Sequence, residues 1–504
     1  MNVADLRSVF LKILFSAASV SFMYPSFARD SWTSFRNEGT DKSAATNLPL
    51  KWAPKESISW QRELPGYGQS SPLLQDGVLY LTYVEGPKKE KSSIMACDPR
   101  TGNTLWKTAV FTSSPDASYY AKSRSAPTPA IDDNGLYVFF EGGDLAALSH
   151  DGETKWQRSL TREYGDFKNG HGLGTSLAQK NDALVLLIDH SGPSYLLSID
   201  KATGKNLWKT DRESRVSWTT PIIANIQGRE QVVVSSNGSV DGYDLSSGKM
   251  LWTYEGISGN TIPSPSVVGN RIFVGGQGKS AALCIDFPDA NQLGEYKILW
   301  QTANAGVHYA SPLSHGNNIY MVDKLGAIHC VDKDTGETRF TKKSADICWT
   351  TPVAVDKYLY FFAKNGTTTV LKAGDTFNEV SANALWDTNS PSQPERYVQH
   401  PPEDSASSPS FADNLKAADK DKDGLIVKSE LPEPMQRSFG RIDANGDGTI
   451  DAKEIQAIAD RSSNRSGSNS FGDPVVYGLA VGDGAFFVRT GTRLYCIRSD
   501  NVGS

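Results

Sequence analysis

Five cysteines in 504 residues, no two adjacent, exclude a vicinal disulfide and leave at least one thiol without a partner in the chain. Cys97, Cys284, Cys330 and Cys496 sit in similar strand contexts ("MACDP", "ALCID", "IHCVD", "LYCIR"), which suits a small buried hydrophobe at a repeated core position. A basic stripe is also missing. The net charge is −6, and residues 401–470 carry most of it with 13 acidic against 9 basic side chains, so no nucleic-acid partner is expected. Neither a Gly-x-Ser-x-Gly elbow nor a His-Glu-x-x-His helix occurs, and the seven histidines are scattered singly.

Long apolar runs are absent but for one, from Ile13 to about Tyr24, behind Arg7 and Lys12 and ahead of Ser26-Phe27-Ala28. It is shorter than the ~20 residues that span a bilayer and ends in a small-x-small pattern, so residues 1–28 are expected to be a cleaved signal. No cysteine stands beside the cleavage site to take a lipid. The mature protein should be exported, periplasmic or secreted, with no integral membrane segment.

What the chain has is a repeat. "DPRTGNTLW" (98–106), "DKATGKNLW" (200–208) and "DLSSGKMLW" (244–252) are one motif, "DKDTGETRF" (332–340) carries Phe for Trp, and "HDGETKW" (150–156) is shortened. The terminal aromatics at 60, 106, 156, 208, 252, 300, 340 and 386 lie 40 to 52 residues apart. Asp accepts hydrogen bonds from turn amides, Gly supplies a positive φ, and the aromatic on the next strand can wedge between neighbouring sheets. Upstream segments such as "SSPLLQDGVLYLTYVEG" and "TPVAVDKYLYFFAKNG" read strand, turn, strand, turn. Four strands per 40–50 residues is the pattern of a β-propeller blade.

Three-strand starts near Ser70, Ala126, Gly174, Thr219, Pro263, Ala310, Thr350 and Tyr477 predict eight blades. The last has no aromatic fourth strand, and the N-terminal "ISWQREL" has no strand before it. The fold class is therefore all-β: an eight-bladed propeller closed by its N-terminal strand. The expected layout is signal 1–28, blades 1–7 with the closing strand at 29–389, a Pro/Ser-rich linker 390–410, a small α-helical EF-hand pair 411–461 between blades 7 and 8, a linker 462–473, and blade 8 at 474–504.

The Asp-x-x-Thr-Gly-x-x-x-Trp repeats resemble the quinoprotein, or PQQ-type, propeller repeat over most of residues 31–386 and 474–498. The opening "SWTSFRNEGTDKSAATNLPLKW" is similar to the start of many exported bacterial propellers of this type. The resemblance implies either a dehydrogenase using pyrroloquinoline quinone (PQQ) or a non-catalytic relative such as the propeller of the outer-membrane barrel assembly machinery. An enzyme of this kind would need a vicinal disulfide, which is absent, a Glu/Asn/Asp calcium cluster inside the propeller, which is not legible, and an Asp base.

Two loops in the insertion meet the EF-hand pattern. Asp419, Asp421, Asp423, the Leu425 carbonyl and Glu430 form the first oxygen set around Gly424. Asp443, Asn445, Asp447, the Thr449 carbonyl and Glu454 form the second around Gly448, with Asp451 at position 9. The first loop has Val427 there, which predicts the weaker site. Ile426 and Ile450 occupy position 8, where paired hands join, so two calcium sites of structural type are expected.

Just ahead of the first strands stand Tyr67, Arg124, His171, Arg215 with Trp218, His308 with Tyr309, and Trp349. Of these, Trp218, Trp349, Arg124 and His308 are the candidates for holding a cofactor, although packing is the expected role of the set. The favoured function is a calcium-binding, non-catalytic scaffold for an exported protein or a glycan. The alternatives are a PQQ-dependent oxidoreductase without the vicinal disulfide, which the missing Cys pair disfavours, and a calcium-dependent hydrolase or lyase.

Overall fold

The repeat turns fold as their side chains dictate. Asp98 Oδ1 accepts the N–H groups of Arg100 (2.8 Å) and Thr101 (2.9 Å), and Gly102 takes φ +71°, so the chain reverses within four residues. Asp200, Asp244 and Asp332 repeat this with the N–H groups of Thr203, Ser247 and Thr335.

The structure is a computed structural model describing residues 31–499 other than 87, 116–122, 258–261, 277–281, 289–290, 344–345, 389–410, 433–435, 437–438 and 459–473. Its strands form eight antiparallel blades, whose innermost strands begin at Leu73, Ala130, Ala178, Ile222, Ser266, Leu313, Val353 and Gly478. Strand Ile58–Glu63 pairs with Arg493–Arg498 and supplies the fourth strand of the last blade, so the N-terminus closes the ring. The signal predicted for 1–28 and the linkers predicted for 390–410 and 462–473 lie outside the described residues.

The repeated tryptophan is a fastener between blades. Trp60, Trp106, Trp156, Trp208 and Trp300 donate Nε1–H to carbonyls of Pro99, His150, Lys201, Leu245 and Lys333, each in the next blade's turn, at 2.8–3.2 Å. Each ring lies so close to that turn's glycine that a Cβ would stand 2.4–2.9 Å from it. Where the next turn is not of this type the fastener changes. Trp252 donates to Gln231 of its own blade, Phe340 packs on Phe377, and Trp386 falls beyond strand Glu379–Ala384 and packs on Tyr495. Trp208→Phe keeps an aromatic but deletes the bond to Leu245, and should lower the urea midpoint by an amount equivalent to about 1–2 kcal/mol. An unchanged midpoint would show the bond to be dispensable.

The N-terminal segment crosses the channel before it closes the ring. Trp32 exchanges backbone hydrogen bonds with Leu74 in blade 1, the Thr33 carbonyl accepts from Ile131 in blade 2, and Lys42–Ser43 add a parallel strand to blade 7. In between, Arg36, Asn37 and Glu38 all hold positive φ (57°, 46°, 59°), a left-handed turn that costs about 1–2 kcal/mol per residue. Its anchor is Arg36, buried at 4 % exposure, which reaches Asp41, the Pro265 carbonyl (2.9 Å), Ser266 Oγ (2.7 Å) and the Pro312 carbonyl (3.2 Å). One side chain thus ties the segment to blades 5 and 6.

The insertion has its own core. Ile426 pairs with Ile450 and Val427 with Thr449 in a two-stranded bridge, above Leu415, Leu431, Phe439, Ile442 and Ile455. Among the described residues, no helix is long and apolar enough to cross a membrane.

Candidate functional site at the channel mouth and the calcium loops

A belt of hydroxyls ties the blades together where the innermost strands begin. The N–H groups of Ser71, Thr128, Ser176, Thr220, Ser264 and Ser311 donate to the hydroxyls of Thr128, Ser176, Thr220, Ser264, Ser311 and Thr351, each one blade on, at 2.9–3.0 Å. Blade 8 has Gly478 at that position, where a Cβ would stand 2.6 Å from Ser71 Oγ. Arg489, fully buried in blade 8, spans this gap by donating to Ser70 Oγ at 2.7 Å.

Around the belt lies a cavity of about 510 Å³ to which every blade contributes, with Trp32, Phe35, Arg36 and Asp41 of the crossing segment as its floor. One wall is an arc of rings: His308 on Tyr309 (4.5 Å between centroids), Tyr309 on Trp349 (5.2 Å) and Trp349 on Tyr477 (5.6 Å), with the buried Tyr67 behind Tyr477 (6.2 Å). His171 and Trp218 pair at 6.0 Å and also line the cavity.

Charge is sparse in the lining. Among the described residues, Asp41 is its only carboxylate, and Arg36 holds both of that group's oxygens. Burial pushes Asp41 up to about 6, with the attraction of Arg36 opposing the shift. The folded state therefore takes up a proton near pH 6 that the unfolded chain takes up only near 3.8. This group alone makes the protein more stable as pH falls from 6 to 4 than it is above 6. Asp41→Asn should flatten that part of the urea-midpoint profile, and an unaltered profile would remove Asp41 as its source. Burial also holds His308 below its ordinary range, helped by the charge of Lys324, so its imidazole is neutral at pH 7.

The candidates from the sequence divide here. Trp218, Trp349 and His308 meet at the cavity, as do His171 and Tyr309. Arg124 does not: it lies behind the wall, 1 % exposed, its guanidinium 4.3 Å from the Tyr67 ring. Arg215 turns away to Ser239 Oγ at 2.6 Å. Sequence reasoning passed over the belt and the floor. The recurring Ser/Thr-Pro pairs at 71–72, 128–129, 220–221, 264–265, 311–312 and 351–352 signal the first, while nothing local marks Arg36 as buried.

The two acidic loops of the insertion are closed by their own carboxylates. Carboxylate oxygens of Asp419, Asp421 and Asp423 lie within 4.8 Å of one another. Asp419 accepts from the N–H groups of Lys422 (2.7 Å) and Gly424 (3.1 Å), and Asp443 from Gly446 (2.7 Å) and Gly448 (3.0 Å). Glu430 folds back over its loop to the N–H groups of Lys420 (3.0 Å) and Val427 (2.9 Å). Glu454 does likewise with Ala444 (2.7 Å) and Asp451 (3.1 Å), while Asp451 accepts from the Glu454 N–H at 2.9 Å, a capping box on the helix at 452–458. These donors are hard oxygens, and those of Asp419, Asp421 and Asp423 are already gathered, so the residue types fit a calcium ion. Among the described residues, the channel lining offers no uncommitted carboxylate for a metal-bound quinone, and its guanidinium, Arg36, is spent on Asp41, so these residues do not fit that group.

Comparison with known proteins agrees with this architecture. The family model described as outer membrane protein assembly factor BamB, of PQQ type, matches residues 52–192 and 166–287, and the EF-hand model matches residues 435–459. The chain is a PQQ-type β-propeller with an EF-hand. This PQQ-type propeller is 24 % identical over 290 residues to outer membrane protein assembly factor BamB of Moranella endobia, covering 55 % of the chain and 66 % of that protein. It is 25 % identical over 189 residues to BamB of Shewanella oneidensis, covering 36 % and 42 %. The match thus spans less than two thirds of either relative. The crystal structure of BamB from Moraxella catarrhalis shares the fold, with a TM-score of 0.51 at 11 % identity over 89 % of this chain and 98 % of that one.

Proposed function

We propose that this protein is an exported, non-catalytic scaffold that binds another protein through the propeller face carrying the channel mouth. In this reading Asp419, Asp421, Asp423, Leu425 and Glu430 hold one calcium ion. Asp443, Asn445, Asp447, Thr449 and Glu454 hold a second, with Asp451 acting through water. The observation that carries the scaffold reading is the cavity itself, a ring-walled cup whose acid–base pair among the described residues, Arg36 with Asp41, is buried and mutually satisfied. Such a surface suits binding: among the described residues, its imidazoles have no carboxylate beside them in the lining to orient them as a base. The printed name of the relatives, an assembly factor, supports a protein as the ligand. The apolar run near the N-terminus and the outer-membrane setting in that name support export.

Leu325, 68 % exposed in the loop of blade 6 beside His308's neighbour Lys324, gives a handle for the test. A photocrosslinking residue placed there in the native host should yield a discrete protein adduct, and the same residue at Leu207 on the outer edge should not. Adducts from neither position, or only from the edge, would sink the reading. Saturable quenching by PQQ with calcium at micromolar levels would return the enzyme reading.

A further inference from the structure

We propose that the channel-mouth cavity receives one neutral aromatic side chain of the partner protein, a tryptophan or a tyrosine, stacked on the Tyr309–Trp349–Tyr477 wall and hydrogen-bonded to His308 or Tyr309. The inference rests on the protein-binding reading above and adds the chemistry of the anchor.

Charge selects against ionic ligands. An anion entering the cup would need Arg36, whose guanidinium is filled by Asp41, two carbonyls and Ser266. Among the described residues, a cation would find rings but no free counter-charge, because Asp41 is the sole lining carboxylate and is already paired. Taking a charge out of water without a partner is costly, so the cavity favours a neutral guest.

Hydrogen bonding selects against a sugar, whose hydroxyls each need a partner. The polar groups of the lining are mostly spent within the protein. The Gln69 amide oxygen accepts from Arg124 N–H (2.9 Å), Trp218 Nε1 donates to the Gly172 carbonyl (2.8 Å), Ser123 Oγ to Leu173 (2.6 Å) and Thr350 Oγ1 to Phe362 (3.0 Å). Among the described residues, the Trp32 indole N–H in the floor is buried without a partner, and the His308 ring nitrogens and the Tyr309 hydroxyl stand out. They line the cavity half-buried, and only burial and distant charges perturb them. A neutral imidazole offers one acceptor and one donor, and a phenol offers both roles. That is the complement of a single polar atom on a flat ring, an indole N–H or a phenol O–H. Volume agrees, since about 510 Å³ admits one such side chain with flanking backbone. Buried aromatic anchors of this kind commonly dominate protein interfaces.

The test uses the full calcium-loaded chain and N-acetyl-5-fluorotryptophanamide, followed by fluorine NMR. The expected result is saturable binding with a Kd on the order of 1 mM, as suits a ligand of this size. Competition by N-acetyltyrosinamide is expected, and none by N-acetyllysinamide or N-acetylglucosamine. Trp349→Ala should weaken binding at least about 10-fold, which corresponds to removing one stacking face. Tyr309→Phe, which keeps the ring and so the fold, should weaken it less, and its unchanged unfolding midpoint guards against misfolding as the explanation. No saturable binding, binding untouched by both variants, or preferential displacement by the lysine or sugar probe would each overturn the proposal. If the probe fails while the Leu325 adduct still forms, the anchor is wrong and the scaffold reading stands. If both fail, the scaffold reading falls with it.

Discussion

Deleting residues 31–63 should leave a chain that no longer unfolds cooperatively and that self-associates in size-exclusion chromatography. The deletion removes the strand whose residues Ile58, Trp60, Gln61, Arg62 and Glu63 pair with Ile497, Cys496, Tyr495, Leu494 and Arg493. At a net ~1 kcal/mol per hydrogen bond, plus ~1 kcal/mol for each partly buried apolar group, the lost terms approach the 5–15 kcal/mol that holds a typical domain together. The same cut uncovers strand Arg493–Arg498, whose central residues are buried, and leaves it as an open edge ready to pair with another molecule. It also strips Trp60 from Gly102 and the Pro99 carbonyl, so blade 1 loses its fastener to blade 8. A second deletion, of residues 31–43 alone, separates closure from the crossing segment. It keeps the closing strand, and the ring should stay monomeric while losing the floor of the cavity. A monomeric, cooperatively folding 31–63 deletion would show that Arg489 and the remaining core close the ring unaided.

Most of this architecture could be read before any coordinates. The eight predicted starts fall one to four residues ahead of the observed innermost strands, because the Asp-x-x-Thr-Gly turn and its aromatic are local devices with a fixed spacing. The insertion was legible in part: the EF-hand model matches residues 435–459, which hold the second loop and the helix at 452–458. The mouth was only half legible. Position ahead of a first strand brings Trp218, His308 and Trp349 to one face, yet it brings Arg124 there too, and the structure places that side chain behind Tyr67. Direction depends on which neighbour has room, which periodicity does not encode. The crossing segment was least legible of all. Arg36 looks like a surface residue in "SFRNEGTDK" and is buried only because blades 5 and 6 offer carbonyls and a hydroxyl across more than 200 residues of sequence.

Replacing Glu430 and Glu454 together by Gln should abolish calcium binding in calorimetry and release the insertion, while leaving the unfolding of the propeller where it was. Each glutamate now ties the two ends of its loop by accepting from backbone amides of that loop, and in the proposed reading each would close a calcium site with both oxygens. A segment of about 50 residues buries too little to stand without such a staple. Calcium at 100 times its Kd adds roughly 2.7 kcal/mol to whatever folds around it. Hydrogen exchange should therefore report protection over residues 411–458 that appears with calcium, disappears with a chelator and is missing in the double variant. Exchange in the blades should not move. The single variants sharpen the test: the Asp451 carboxylate serves the second loop at the position where the first has Val427, so Glu430→Gln should remove the weaker binding event and Glu454→Gln the tighter one. Loss of both events from either single change would mean that the Ile426–Ile450 bridge makes the loops one cooperative unit. Unfolding of the whole chain in the double variant would mean that the insertion is part of the ring's closure between blades 7 and 8 and not a module carried on it.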